Sequence, residues 1–228
     1  MLCLDVVQTI CDFCDLKTQI NLIRTCKEYE ENLKIRKLTC TSKINSTVTQ
    51  EILQQKKFSQ LRSLDASHYN KIIDVNHLKD TLMELNCRWS SGITQEGINR
   101  LRKLQKLNAW GNDKITDVNH LKDTLIELDC SICMTQEGIN GLLKLQKLNV
   151  LCNNKIKDVN HLKDTLMELN CSGSCITQEG INELRKLQIL IASYNNKITD
   201  VNHLRDTLIE LKREGYCGNL KWINKKIE

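Results

Sequence analysis

The 228-residue chain has no proline and only nine aromatic residues: three Trp, four Tyr and two Phe. The missing proline excludes a proline-rich linker, and no stretch shows the Pro, Gly and Ser enrichment of a disordered tail. With so few rings, the core must be assembled from leucine and isoleucine. No window approaches 18 uninterrupted apolar residues, so no membrane-spanning helix is expected. Residues 1–10 carry Asp5 and lack the basic-then-apolar order of a secretory leader. A strong charge of one sign is also missing. Lys and Arg number 33 and Asp and Glu 28, a formal net charge of +5, and the two signs are interleaved, so neither nucleic acid nor a membrane is an expected partner. A cytoplasmic, reducing location is expected, with the 12 cysteines present as thiols.

Catalytic chemistry is missing too. There is no nucleophile beside its own base, no glycine-rich phosphate loop, and no acid pair outside the repeat pattern described next. A catalytic group is needed once, whereas the candidate residues here recur about every 42 positions. The expectation is therefore a protein that is not an enzyme, with no catalytic residues, no metal and no cofactor.

What the chain does have is internal repetition. VNHLKDT starts at Val75, Val118 and Val159 and returns as VNHLRDT at Val201, so that His77, His120, His161 and His203 are 43, 41 and 42 residues apart. A second block, TQEGIN, follows Ile93, Met134 and Ile176. Each long period splits into halves that open at Leu61, Leu82, Leu104, Leu125, Leu145, Leu166, Leu187 and Leu208, with a looser one at Ile35. The halves opening at Leu104 and Leu125 both follow L-x-x-L-x-(small or L)-x-x-(N or C). This pattern resembles the leucine-rich repeat, and the resemblance covers residues 35–228. It implies an α/β solenoid of about nine coils of 20–26 residues, with parallel strands on the concave face and short helices on the convex face. In that register the opening Leu, the Leu three later and the sixth residue point inward, while the third, fifth and seventh face solvent. Segments such as 117–124 and 135–142 begin with Asp or Thr and space their apolar residues by three, which suits short helices.

Length changes are confined to one turn. From the opening Leu to the Ile or Met before TQEG the gap is 11, 9 and 10 residues, while the remaining 11 never vary. A stacked coil tolerates insertion only where its backbone bulges outward, which places residues 88–92, 131–133 and 172–175 at the strand exits.

Residues 1–34 stand outside the repeat. Their apolar residues suggest two or three short helices broken near Asp15, and they hold four Lys or Arg against six acids. The run Leu2-Cys3-Leu4-Asp5-Val6-Val7, then Ile10, Phe13, Leu16, Ile20-Asn21-Leu22 and Arg24-Thr25-Cys26-Lys27-Glu28-Tyr29, resembles the F-box. Cys3 stands where that family usually has Pro. An F-box directly before leucine-rich repeats is a familiar order, and the Lys, Ile and Asn flavour and near-identical repeats are similar in style to F-box and repeat families of giant amoebal viruses and social amoebae. The resemblance implies a substrate receptor of a cullin-RING ubiquitin ligase. The adaptor would dock on Leu4, Val7, Ile10, Phe13, Leu16, Ile20 and Leu22, and the repeats would hold the substrate. The alternative is a stand-alone scaffold in which these helices only cap the first coil.

Two constellations with metal-like spacing have plainer readings. Cys11-x-x-Cys14 and Cys130-x-x-Cys133 fall in different kinds of element. Cys40, Cys87, Cys130 and Cys171 occupy the inward sixth position, where Cys serves as a small apolar residue. The repeated histidines are two coils apart, about 10 Å, too far to share an ion.

The third position reads Glu84, Lys106, Glu127, Lys147, Glu168, Ile189, Glu210, an acid–base ladder expected to satisfy itself. The strand exits differ in every coil and gather His68, Tyr69, Arg88, Trp89, Trp110, Leu151, Tyr194 and Tyr216. Trp, Tyr and Arg dominate binding hot spots, so a protein partner is expected there.

Overall fold

The computed structural model describes residues 3–39, 48–67, 69–89, 91–130 and 132–214. Cys40, His68, Tyr216 and Cys217 lie outside them. The chain divides into two compact units, residues 1–104 and 105–228.

The first unit begins with three helices, α1 (Leu4–Phe13), α2 (Leu16–Ile23) and α3 (Lys27–Asn32). The break at Asp15 has a local cause. Its carboxylate accepts the Thr18 N–H at 2.7 Å and caps α2, and that bond holds the carboxyl below its ordinary pKa. Val7 and Cys11 on α1 and Ile23 on α2 are buried. Buried Gln8 both donates to the Lys34 carbonyl and accepts the Lys34 N–H, each at 2.8 Å, while Asp12 pairs with Arg36 at 2.8 Å. These bonds fasten α1 to the chain entering β1 (Lys37–Leu38). Next come α4 (Gln50–Leu53), β2 (Ser63–Asp65) and β3 (Glu84–Asn86). The strands are parallel, with Lys37 opposite Ser63 and Ser63 opposite Glu84.

The second unit carries β4 (Lys106–Asn108), β5 (Glu127–Asp129), β6 (Lys147–Asn149), β7 (Glu168–Asn170), β8 (Ile189–Ile191) and β9 (Glu210–Lys212). Each is parallel to the next and in register. Each of these six strands is three residues long because only the third to fifth positions of a half-repeat are extended. The opening Leu and the Leu three later are at most 2% exposed in the coils opening at Leu104, Leu125, Leu145, Leu166 and Leu187. This is a parallel-strand solenoid whose core is a column of leucines.

On the convex side the short helices are of the tighter 3-10 kind. Each VNHL forms a single 3-10 turn, as at Asn119–Leu121, Asn160–Leu162 and Asn202–Leu204. A coil of about 21 residues leaves no room for several α-turns, and its polar side chains satisfy the backbone instead. Gln178 accepts the Thr199 and Asp200 N–H groups and donates to the Asp200 carbonyl. Gln136 does the same to residues 157 and 158, and Gln50 to residues 73 and 74 in the first unit. Asn160 donates to the Glu179 carbonyl and accepts from the Glu183 N–H. The side chains of the two repeated blocks are thus clamps between neighbouring coils. The glycine of TQEG is required by the same closeness, since a Cβ on Gly180 would lie 2.0 Å from the Lys157 carbonyl oxygen.

Candidate binding surface

In the coils opening at Leu61, Leu104, Leu145 and Leu166 the strand exit is shaped by the fifth residue. There an Asn or Asp side chain accepts the N–H two residues on: Asn108 from Trp110, Asn149 from Leu151 and Asn170 from Ser172, each at 3.1 Å, and Asp65 from Ser67 at 3.0 Å. Such Asx turns swing the chain out of the strand. The eighth residue then takes a left-handed conformation. It is Gly111 (φ 72°) and Gly173 (φ 58°) in two coils, but Trp89 (φ 60°), Cys152 (φ 57°) and Tyr194 (φ 56°) in three others. Glycine adopts this region freely, whereas a bulky L-residue there is strained by about 1–2 kcal/mol.

The strained side chains are not compensated by burial. Trp89 is 50% exposed and Tyr194 69%. Arg88 is exposed, and Trp110 and Leu151 are half-buried. Tyr69 departs from expectation: it is 1% exposed and belongs to the core. It stands at the ninth position, where Asn112, Asn153 and Asn195 are also buried, so its ring is directed inward and is no part of an exposed surface. Tyr216 lies outside the described residues. Sequence reading missed Cys152, and Gly111 and Gly173 in the same register were the signal that the eighth position needs a positive φ.

The third-position ladder is formed. Lys106 pairs with Glu127 at 3.1 Å and Lys147 with Glu168 at 2.7 Å, and the Glu168 carboxylate raises the Lys147 pKa. These charges are mutually satisfied. The histidines also serve the stack: His161 Nε2 lies 3.0 Å from the Ile139 carbonyl and His203 Nε2 3.0 Å from that of Ile181, one coil earlier in each case. Burial lowers the His161 pKa. Among the described residues no group of three or more His, Cys, Asp or Glu is gathered as a metal site, and no helix is long and apolar enough to cross a membrane.

On the N-terminal helices the predicted adaptor face is divided. Val7 is 4% exposed and packed inward, so it cannot dock a partner. Leu4, Leu16, Ile20 and Leu22 are half-buried. Ile10 and Phe13 face out, joined by Val6, with exposures of 47%, 88% and 43%. The outward stripe is therefore residues 6, 10 and 13, one helical face.

No family model matches the chain, and no curated protein matches it. Among solved structures, the functional domain of InlJ from Listeria monocytogenes, which includes a cysteine ladder, aligns with a TM-score of 0.60 at 23% identity. The alignment covers 86% of this chain, which spans about half (47%) of that one. The shared fold is the leucine-rich-repeat type of parallel-strand solenoid. In the second unit of this chain, the sixth-position cysteines Cys130 and Cys171 are free thiols separated by the coil of Val150, so they alternate with aliphatic residues.

Proposed function

We propose that this chain is a non-enzymatic binding scaffold that acts as a substrate receptor of a cullin-RING ubiquitin ligase, holding a protein at its strand exits and an adaptor on α1. The observation that carries the reading is the eighth position. Where glycine suffices in two coils, others keep exposed Trp89 and Tyr194 at positive φ, and such strain persists where another requirement selects the side chain. The adaptor half rests on the F-box resemblance and on Val6, Ile10 and Phe13, an apolar stripe suited to a helix-in-groove contact. Burial of Val7, Cys11 and Ile23 favours the second reading, a stand-alone scaffold whose helices only cap the first coil.

The test is purification of the tagged full chain from a eukaryotic cytosol, followed by calorimetry with what co-purifies. Adaptor and cullin are expected, and should be lost from Ile10→Asp and Phe13→Asp variants. Substrate affinity should fall by about 2 kcal/mol in Trp89→Ala or Tyr194→Ala, with Tm nearly unchanged. Reproducible absence of adaptor alongside a partner sensitive to Trp89 or Tyr194 leaves the scaffold; insensitivity at both places removes the proposal.

A further inference from the structure

A thiol and an amine meet at a strand exit of the second unit. Lys197 Nζ donates to Cys175 Sγ at 3.0 Å. Both ends are anchored by backbone. The Cys175 N–H donates to the Asn153 carbonyl at 2.9 Å, and the Lys197 N–H to Asn195 Oδ1 at 3.0 Å. Asn195 is 1% exposed and its Nδ2 donates to the Cys171 and Ile176 carbonyls, so Lys197 is held by the same buried amide that binds the coil carrying Cys175. Cys175 is a free, half-buried thiol, and among the described residues Lys197 makes no ion pair. The spacing recurs: Cys133 precedes Lys155 by the same 22 residues as Cys175 precedes Lys197, and only the first long repeat replaces this cysteine, with Gly92.

We propose that Cys175 and Lys197 form an oxidative modification site in which a peroxide converts the pair into a covalent sulfur–nitrogen link between neighbouring coils. In the first step Sγ attacks one oxygen of hydrogen peroxide. An S–O bond forms, the O–O bond breaks, the thiol proton leaves with the second oxygen as water, and sulfur is oxidised by two electrons while the peroxide is reduced. A sulfenic acid so formed is captured by a nearby nucleophile, a thiol or a nitrogen. Here the nucleophile in contact is Nζ. After the ammonium gives one proton to solvent, its lone pair attacks sulfur, the S–O bond breaks, and the hydroxyl leaves as a second water with a proton from nitrogen. The protein loses two hydrogens and the peroxide becomes two waters. Geometry selects this outcome over a disulfide, since the amine already touches the sulfur.

The test treats the full-length protein with a small excess of hydrogen peroxide and digests it, unreduced, with a lysine-specific protease. Mass spectrometry should show a peptide joining Cys175 to Lys197, lighter by two hydrogens than its parts, with cleavage after Lys197 lost and restored by dithiothreitol. Cys175→Ser and Lys197→Arg should each abolish it, with unchanged circular dichroism confirming that the variants fold. Normal cleavage at Lys197 with Cys175 found as a sulfinic acid, or in a disulfide with Cys152, would overturn the proposal. So would an equal yield at Cys133 and Lys155, which share the register but are joined by no hydrogen bond among the described residues.

Discussion

The convex turns and the strand exits of the second unit follow opposite rules. On the convex side the same residues make the same bonds in each long repeat, as Gln136 and Gln178 do. At the exits the same backbone conformation carries different residues, with Gly111, Cys152, Gly173 and Tyr194 all at positive φ. Stacking must be solved identically in every coil, so it appears as repetition. Under the proposed function recognition is solved once per partner, so it would appear as variation on a fixed scaffold. The two regions should therefore respond oppositely to substitution.

The largest effect belongs to the clamps. Gly180→Ala sets a Cβ 2.0 Å from the Lys157 carbonyl oxygen, and the nearest atoms are all backbone of Lys157 and Asp158, with no flexible side-chain end to yield. A loss of about 3 kcal/mol is expected, at the upper end for overpacking. Gly173→Ala, at φ +58° with only the Cys152 sulfur within reach at 3.5 Å, should cost about 1 kcal/mol of conformational strain. Thermal or urea unfolding followed by circular dichroism ranks the two, and equal losses would erase the distinction between the regions.

Much of this was legible in the sequence, for reasons that particular residues make plain. The leucine spacing located every strand because three extended residues and an inward leucine column leave one register available. The ladder of Lys106, Glu127, Lys147 and Glu168 followed from period-two alternation. What could not be read was where a side chain goes once the chain leaves the strand. Tyr69 looks like its neighbours in composition but takes the inward ninth position, and Val7 is one step around α1 from the exposed stripe. Both depend on tertiary packing. The short convex helices were legible from the apolar spacing of three, but their 3-10 form was not, because that spacing suits short α-helices too and only the clamps of Gln136 and Asn160 decide between them.

A second, intermediate effect separates the inward side of the strands from the exits. Burial pushes the Cys171 thiol up from 9.0 to about 12. In the unfolded chain it ionises near its ordinary value, while the folded chain keeps the proton. Between these values the native state binds more protons, so stability is full below about pH 9 and falls as pH rises toward 12, by about 1.4 kcal/mol per pH unit. The difference in unfolding free energy between wild type and Cys171→Ala should therefore shrink by about 1 kcal/mol from pH 9 to pH 10, where the unfolded thiol passes from half to almost fully ionised. A pH-independent difference would mean that the thiol reaches solvent.

The smallest effect on stability is the sharpest test of the exits. Tyr194 occupies a left-handed position at φ 56° with its side chain 69% exposed, and its N–H donates to the Glu214 carbonyl at 3.0 Å, a bond any residue there can make. Replacement by Gly removes about 1–2 kcal/mol of strain and adds back about 0.5–1 kcal/mol of unfolded-chain entropy. Tyr194→Gly should thus be as stable as wild type or more stable by up to about 1.5 kcal/mol, while Tyr194→Ala keeps the strain and gains nothing. Partner affinity should fall in both. That opposition, stability held or raised while binding is lost, is what a side chain kept for recognition produces. Were Tyr194→Gly instead to unfold more easily, the ring would be contributing packing to its own coil, and the exits would obey the same rule as the clamps.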